Sequence, residues 1–373
     1  MKKKKLFIYI HQCILKGGVE KVFYNLLNNL PQEQYEITVL SHIAYLTDDI
    51  HAELYPQNVH RRWLYYDEFA PGGIRRFLQR VHNFLMPRLY PIWLRFRRFD
   101  TAIAAQEGKY ARFVDENLRA DRKLLWIHND MERCHWTARE FSSLEEEKNC
   151  YLRFDKVVCV SHSVADSMAK VFGEMKNLHV CYNPIDTAEI DRKMDLFPVE
   201  REVVPLFVAV GRLAEQKGFD RLLRICRRLN RQGFDYRLWI IGDGEERKKL
   251  EAEISKGGLE NVRLLGQKGN VFPYMKAADW LVCSSRHEGF NMVLYEAAWC
   301  GTPAITTDNA GTREFLGDSQ YGIVTDNDED ALYEAMCRVL SNPELLPRYR
   351  AAVQERRSFI DLPGRIRAIC DVL

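Results

Sequence analysis

The sequence has no long hydrophobic run, no excess of charge of either sign and no paired cysteines. No stretch approaches the roughly 18 consecutive apolar residues of a membrane-spanning helix. The apolar run Leu6 to Ile10, behind Lys2 to Lys5, stops at His11, too short for the core of a secretory signal. Lys and Arg number 54 against 52 Asp and Glu, a net charge of +2. That balance excludes a global field for nucleic acid, so any polyanion or membrane contact must come from a local patch. The 10 cysteines form no C-x-x-C pair and no cluster at zinc-ligand spacing. Without an export signal they read as reduced thiols, and the expected location is the cytoplasm. Low complexity and short-period repeats are lacking too. Hydrophobic residues at 46% and charged residues at 28% fit a packed soluble protein, and 373 residues suggest two domains.

What is present is an alternation of strand-like and helix-like segments. Leu6 to Ile10, Tyr35 to Leu40, Leu124 to His128, Lys156 to Ser161 and Leu178 to Tyr182 are short, apolar and rich in β-formers. A second series follows: Leu206 to Val210, Arg237 to Ile241, Val262 to Leu265, Trp280 to Cys283 and Ala304 to Thr306. Helical periods lie between them, as in Asp220 to Arg231, Glu246 to Ser255 and Met292 to Cys300. Apolar strands joined by crossovers predict parallel sheets covered on both faces. The polar stretch from Asn183 to Pro205 predicts a boundary. The expected domains are 1–185 and 186–350, followed by a C-terminal segment, 351–373, whose Pro363 and uneven period leave open whether it crosses back to the first. Two such domains would face each other across a cleft at the carboxyl ends of their strands.

Two segments carry chemistry. In Glu288-Gly289-Phe290-Asn291-Met292-Val293-Leu294-Tyr295-Glu296, a glycine allows close ligand approach and a helix begins just after it. Its free N–H groups and dipole suit a diphosphate, and the two glutamates suit hydroxyl groups. In Gly211-Arg212 with Lys217-Gly218, an arginine and a lysine follow a strand, a planar fork and a compact charge for phosphate oxygens. Either segment alone would read as ordinary surface. Gly242-Asp243-Gly244 is followed by Arg247 where a third glycine would complete a dinucleotide fingerprint. Asp326-Asn327-Asp328 precedes a helix and reads as a cap rather than a metal site.

Taken in order, these pieces resemble the retaining glycosyltransferases of family 4, which have the GT-B fold. Gly17-Gly18-Val19-Glu20, Tyr182 to Asp186, Gly242 to Glu246, Gly301-Thr302-Pro303, Gly311 and Glu314 complete the likeness. The resemblance implies an α/β protein of two doubly wound Rossmann-like domains facing a central cleft. It implies that Arg212 and Lys217 hold the donor diphosphate, that Glu296 binds the ribose, and that Glu288 with the backbone of Gly289, Phe290 and Asn291 holds the transferred sugar. Gly17 and Gly18 would approach donor phosphate and acceptor, and Asn270 and Val271 would lie near the base. His128 matches the histidine beside the reacting sugar; from its own sequence it is as well read as a satisfied structural histidine. Asp130 and Glu132 are weaker acceptor-side candidates. The implied reaction moves a hexose or N-acetylhexosamine from a nucleotide sugar, expected to be a UDP-sugar, to a glycan or polyprenyl- or lipid-linked acceptor. The setting would be capsule, exopolysaccharide or lipopolysaccharide synthesis, with no metal or other cofactor expected. A nucleotide-sugar epimerase and a non-catalytic nucleotide-sugar-binding subunit share the architecture.

Residues 61–99 depart from the overall balance. Nine arginines, among them Arg75, Arg76 and Arg80, face Asp67 and Glu68, with Trp93 and other aromatics interleaved. Ile74, Phe77, Leu78, Val81 and Leu85 share one helical face, and Pro87 and Pro91 are expected to break any longer helix. A peripheral helix on an anionic membrane and a core-facing helix with a solvated basic face fit this pattern equally.

Overall fold

The computed structural model describes residues 3–13, 17–44, 55–67, 73–201 and 203–373; Lys2 and Glu68, named above, lie outside them. The chain divides into two compact units, residues 1–184 with 363–373, and residues 185–362.

The first unit is built on a seven-stranded sheet. Its strands are β1 (Lys4–Ile10), β2 (Tyr35–Ala44), β3 (Val59–Tyr66), β4 (Arg98–Ala104), β5 (Arg119–Ile127), β6 (Lys156–Cys159) and β7 (Leu178–Val180). They lie in the order β3-β2-β1-β4-β5-β6-β7, and every pairing is parallel. Leu6 to Ile10 of β1 are buried, as befits a central strand covered on both faces. The second unit carries β8 (Leu206–Val210), β9 (Arg237–Ile241), β10 (Val262–Gly266), β11 (Trp280–Cys283), β12 (Ala304–Thr307) and β13 (Ile323–Thr325). Their order is β10-β9-β8-β11-β12-β13, again all parallel. Each sheet therefore has a switch point, between β1 and β4 and between β8 and β11. There successive loops diverge and leave a crevice at the strands' carboxyl ends. The GT-B fold expected from the sequence, two Rossmann-like α/β units, is the fold observed.

Amphipathic helices cover the sheets. In Phe219–Arg231, Leu222, Leu223, Ile225, Cys226 and Leu229 are buried against Phe207, Leu238 and Ile240. Arg224 and Arg228 point outward to Glu329 and Asp330 on the helix Glu329–Ser341.

Three expectations need correction. Strands β3, β4 and β13 go beyond the sequence expectation: β3 is half-buried and carries three consecutive polar residues, His60 to Arg62, and β4 opens on Arg98 and Asp100. Pro87 and Pro91 do not break their helix, which runs unbroken over Gly73–Arg95. Their spacing of four puts both missing N–H donors on one side, where both rings are half-buried. The return to the first unit begins at Pro363, not at residue 351. Leu345 and Tyr349 of the helix Leu345–Arg356 are buried in the second unit's core and keep that helix there.

The returning segment is tied in. Thr101 Oγ1 donates to the Leu373 carbonyl at 2.9 Å and Arg365 Nη1 to the Asn183 carbonyl at 2.7 Å, while Ile369 is buried. Ile369→Ala is expected to destabilise the first unit by about 2–5 kcal/mol. Urea unfolding should show the first unit's transition moved to lower denaturant and the second's unmoved.

Candidate active site

The second unit's switch point assembles residues that are 71 positions apart. Lys217 is on the loop after β8 and Glu288 on the loop after β11, and Lys217 Nζ meets Glu288 Oε1 at 2.6 Å. Ser285 Oγ donates to the same oxygen at 2.6 Å. Both charged side chains are largely buried, at 20% and 8% exposure. An ammonium has three N–H donors, so this pair leaves Lys217 able to meet an incoming anion as well. Arg212, on the same loop, is exposed and is in no ion pair among the described residues.

Backbone contacts hold the loops at this distance. Gly218 has φ +66°, and a Cβ there would run into the Ser284 carbonyl; the β8 and β11 loops touch at that point. Gly242 has φ +150° and likewise faces the Gly211 carbonyl oxygen, which brings the β9 loop alongside. Behind the β11 loop lies Arg221, only 6% exposed. Its Nε donates to the Ser284 carbonyl at 2.6 Å, and its Nη2 to the Ser285 carbonyl at 2.6 Å and to Asn327 Oδ1 at 2.9 Å. Burial and the neighbouring Arg286 lower the Arg221 guanidinium to about 10, still charged at neutral pH. Arg286 in turn forks onto Asp220, 2.8 Å to each oxygen. Burial would raise the Asp220 carboxyl, but Arg286 and Arg224 hold it well below the usual range.

Residues 288–292 are all buried. Phe290 stacks on Tyr295 at 4.4 Å, and Tyr295 on Phe315 at 4.0 Å, so the Phe290 side chain anchors the loop. Asn291 precedes the helix Met292–Trp299 without capping it through its side chain. Leu294 N donates to the Asn291 carbonyl at 3.1 Å, and the N–H groups of Met292 and Val293 are the ones suited to an anion. Glu296 lies on this helix, 4% exposed. Asn270 is occupied structurally: its Nδ2 donates to the Lys193 carbonyl at 2.8 Å and its Oδ1 accepts from Phe272 N at 3.2 Å. Val271 is the residue that opens the helix Phe272–Ala277. Asp328 caps the helix Glu329–Ser341 by accepting from Ala331 N at 2.8 Å, as its sequence context suggests.

His128, Gly17 and Gly18 belong to the first unit. Gly17 and Gly18 are exposed at the start of the helix Gly18–Asn29, and a Cβ on Gly18 would meet nothing within 4 Å. His128 follows β5 and is 8% exposed. Burial lowers its imidazole to about 4, against a hydrogen bond to the Ala105 backbone, and its Nε2 has no protein partner. The ring is thus neutral at physiological pH with a buried nitrogen pointing at no protein donor or acceptor. Glu107, fully buried at the end of β4, accepts from His128 N and Trp136 Nε1, each at 3.1 Å, and from Asn129 Nδ2. Burial raises its carboxyl despite those donors. Asp130 accepts from Glu132 N and Arg133 N and so holds a turn, while Glu132 pairs with Lys170 on the surface.

Sequence reasoning missed Glu107, Arg221 and Ser285. Gln106-Glu107-Gly108 follows a strand that was itself unread, and Arg221 looks like one more cation in an arginine-rich helix.

Two all-parallel Rossmann-like sheets, each with a switch point, make the GT-B architecture, and comparison with known proteins agrees. Residues 16–189 match the family described as Glycosyltransferase Family 4, and residues 192–356 match Glycosyl transferases group 1. It is 28% identical over 204 residues to the lipopolysaccharide core biosynthesis glycosyltransferase LpsE of Rhizobium meliloti, covering 52% of this chain and 56% of LpsE. It is 30% identical over 191 residues to the N-acetylgalactosamine-N,N'-diacetylbacillosaminyl-diphospho-undecaprenol 4-alpha-N-acetylgalactosaminyltransferase of Campylobacter jejuni, covering 50% of each. These alignments span about half the length of the curated relatives. Among solved structures, HepE of Anabaena in complex with UDP superposes with a TM-score of 0.73 at 18% identity, covering 99% of this chain and 98% of HepE.

Two predictions follow from the site's supports. Arg221→Met should destabilise the second unit by about 1–3 kcal/mol, because the buried Ser284 carbonyl loses its donor, while the Ser285 carbonyl keeps Thr307 and Asn309; denaturant unfolding reads this directly. His128 takes up a proton in the unfolded chain near its ordinary 6.5 but in the folded one only at about 4. The unfolded state therefore binds more protons in that window, and stability falls as pH drops from 6.5 towards 4, by about 3 kcal/mol in all. The melting temperature of His128→Asn should fall less steeply over this range than that of the unaltered protein.

Proposed function

We propose that this chain transfers a hexose or N-acetylhexosamine from a UDP-sugar to a glycan or lipid-linked glycan, with retention of anomeric configuration, in lipopolysaccharide or related surface-polysaccharide synthesis. The observation that carries the reading is the Lys217–Glu288 pair at 2.6 Å beside an exposed Arg212, all at the switch point of a parallel sheet. Breaking a glycosyl–diphosphate bond leaves charge on the departing nucleotide, and preorganised cations aimed there lower the barrier. Arg212 and Lys217 supply them, with the uncapped N–H groups at Met292 beside them. Glu288 and the backbone of Gly289 to Asn291 receive sugar hydroxyls, and Glu296 receives the ribose diol. Neutral His128 is suited to accept a hydrogen bond at Nε2 from a sugar hydroxyl. Its low basicity makes it a weak proton acceptor, and the reaction assigned here needs none from it.

The UDP bound to HepE and the undecaprenol named in the Campylobacter relative support the kinds of donor and acceptor. The natural setting in this reading is the cytoplasm. No metal is assigned a role.

A thermal-shift series with UDP, GDP, ADP and TDP tests the donor. A nucleotide at a hundred times its dissociation constant stabilises by about 2.7 kcal/mol, several degrees in melting temperature. UDP should give the largest shift; another nucleotide in its place would overturn the donor assignment. With the preferred UDP-sugar and an acceptor, free UDP should accumulate as sugar is transferred, whereas an epimerase would consume one sugar nucleotide without releasing any. Glu288→Ala should lower kcat by about a hundredfold or more with a folded, cooperative melt.

A further inference from the structure

The helix Gly73–Arg95 has two unlike sides. One seats it on the first unit: Gln79 and Leu94 are buried, and Asn83 accepts from Tyr66 N at 2.7 Å and donates to the Tyr66 carbonyl at 2.9 Å. The other side is apolar and bare. Ile74, Phe77, Leu78, Leu85, Leu89 and Ile92 recur at spacings of one, three, four and seven, which aligns them as one stripe. They are exposed at 76%, 64%, 57%, 36%, 48% and 53%, and Phe96 just beyond the helix at 85%. The reading of this face as core-facing is thereby set aside. The core side of the helix is instead polar and aromatic, with His82, Asn83 and Tyr90 half-buried.

Cations flank the stripe. Arg75, Arg76, Arg80, Arg88 and Arg95 are exposed, and among the described residues none of them is in an ion pair. At the carboxyl end of the helix lies a hollow of about 460 Å³ lined by Arg95, Phe96, Arg97, Arg98, Arg119 and Lys123. Arg98 is committed to Asp121 at 2.9 Å and Lys123 to the Asp115 carbonyl at 2.8 Å. Arg97 lies over the Trp93 ring at 4.8 Å. Arg95, Arg97 and Arg119 leave the hollow with positive charge that no carboxylate of the described residues neutralises through an ion pair.

Charge decides between occupants. A second copy paired symmetrically through this stripe would set arginine row against arginine row. A bilayer with anionic headgroups offers hydrocarbon to the stripe and phosphate to the cations at once. At 1.5 Å per residue the helix is about 34 Å long, yet no helix among the described residues is long and apolar enough to cross a membrane. The orientation that buries this stripe is therefore in the plane of the surface.

We infer that the helix Gly73–Arg95 is an interfacial anchor. It lies in the headgroup layer of an anionic bilayer with the Ile74-to-Ile92 stripe inserted, and the hollow at Arg95, Arg97 and Arg119 receives a lipid phosphate. The inference stands on this helix alone, independent of donor and reaction.

Co-sedimentation of the full chain with phosphatidylcholine vesicles, with and without phosphatidylglycerol, tests it. The chain should pellet with the phosphatidylglycerol vesicles, and less so in high salt. Arg75→Glu/Arg76→Glu/Arg80→Glu should weaken that binding by about a hundredfold or more, at roughly 1 kcal/mol per charge removed near the surface. Phe77→Ser/Ile92→Ser should weaken it by about tenfold or more. All five positions are exposed, so the melting temperature should stay within a degree or two of the parent and separate lost binding from lost folding. Failure of the parent to pellet, or equal pelleting of either variant, would overturn the inference. So would a dimer in sedimentation velocity that Phe77→Ser/Ile92→Ser dissociates while vesicle binding is absent, which would assign the stripe to a second copy.

Discussion

Everything at the crevice of the second unit depends on holding two chain segments, 71 residues apart, close enough for Lys217 and Glu288 to share a proton-donor contact at 2.6 Å. Opposite charges this deep are stable only with good geometry and further hydrogen bonds. Ser285 supplies one of these on the carboxylate. Arg221 supplies the geometry, pulling the Ser284 and Ser285 carbonyls back onto the helix Phe219–Arg231. The Gly218 backbone lets that helix start hard against the Ser284 carbonyl. A single buried guanidinium thus links the helix after β8 to the loop after β11, and the ion pair sits in front of it. In the reading proposed above, a diphosphate meets groups that these protein contacts hold in place rather than groups it must gather.

The two units share a strand order through the first six strands but differ in the chemistry at the carboxyl ends of those strands. The second gathers charge: Lys217, Glu288, Arg212, and the Asp220–Arg286 fork behind them. The first holds a neutral imidazole and a buried carboxyl. His128 is uncharged because burial removes the water an imidazolium needs, and burial likewise raises the Glu107 carboxyl against its three donors. Charge suits a nucleotide diphosphate, while a neutral imidazole with an open nitrogen suits hydroxyl groups.

Central strands were legible in the sequence because burial on both faces forces uninterrupted apolar runs; Trp280–Cys283, Leu206–Val210 and Arg237–Ile241 match their expected limits. β3 and β4 are the exceptions: β3, at the sheet's edge, carries His60, Arg61 and Arg62, and β4, although it lies beside β1, opens on Arg98 and Asp100. Lys217 and Glu288 could be named because glycines and helix starts mark the loops that carry them. Arg221 and Glu107 could not: their role comes from which carbonyls or amides they reach in three dimensions, and no local pattern encodes that. The helix Gly73–Arg95 shows the same limit differently. Its stripe is plain in the sequence, but the side facing the protein is decided by Asn83 and its grip on Tyr66.

The return of residues 363–373 to the first unit also orders events in time. The ribosome finishes residues 1–184 and then makes the whole of the second unit before it delivers the helix that Thr101 and Asn183 await. At about 5–20 residues per second, the intervening 178 residues (185 to 362) take about 10–40 s to emerge. The second unit, contiguous in the chain, can complete its sheet during synthesis. The first, though begun earlier, reaches its final packing last.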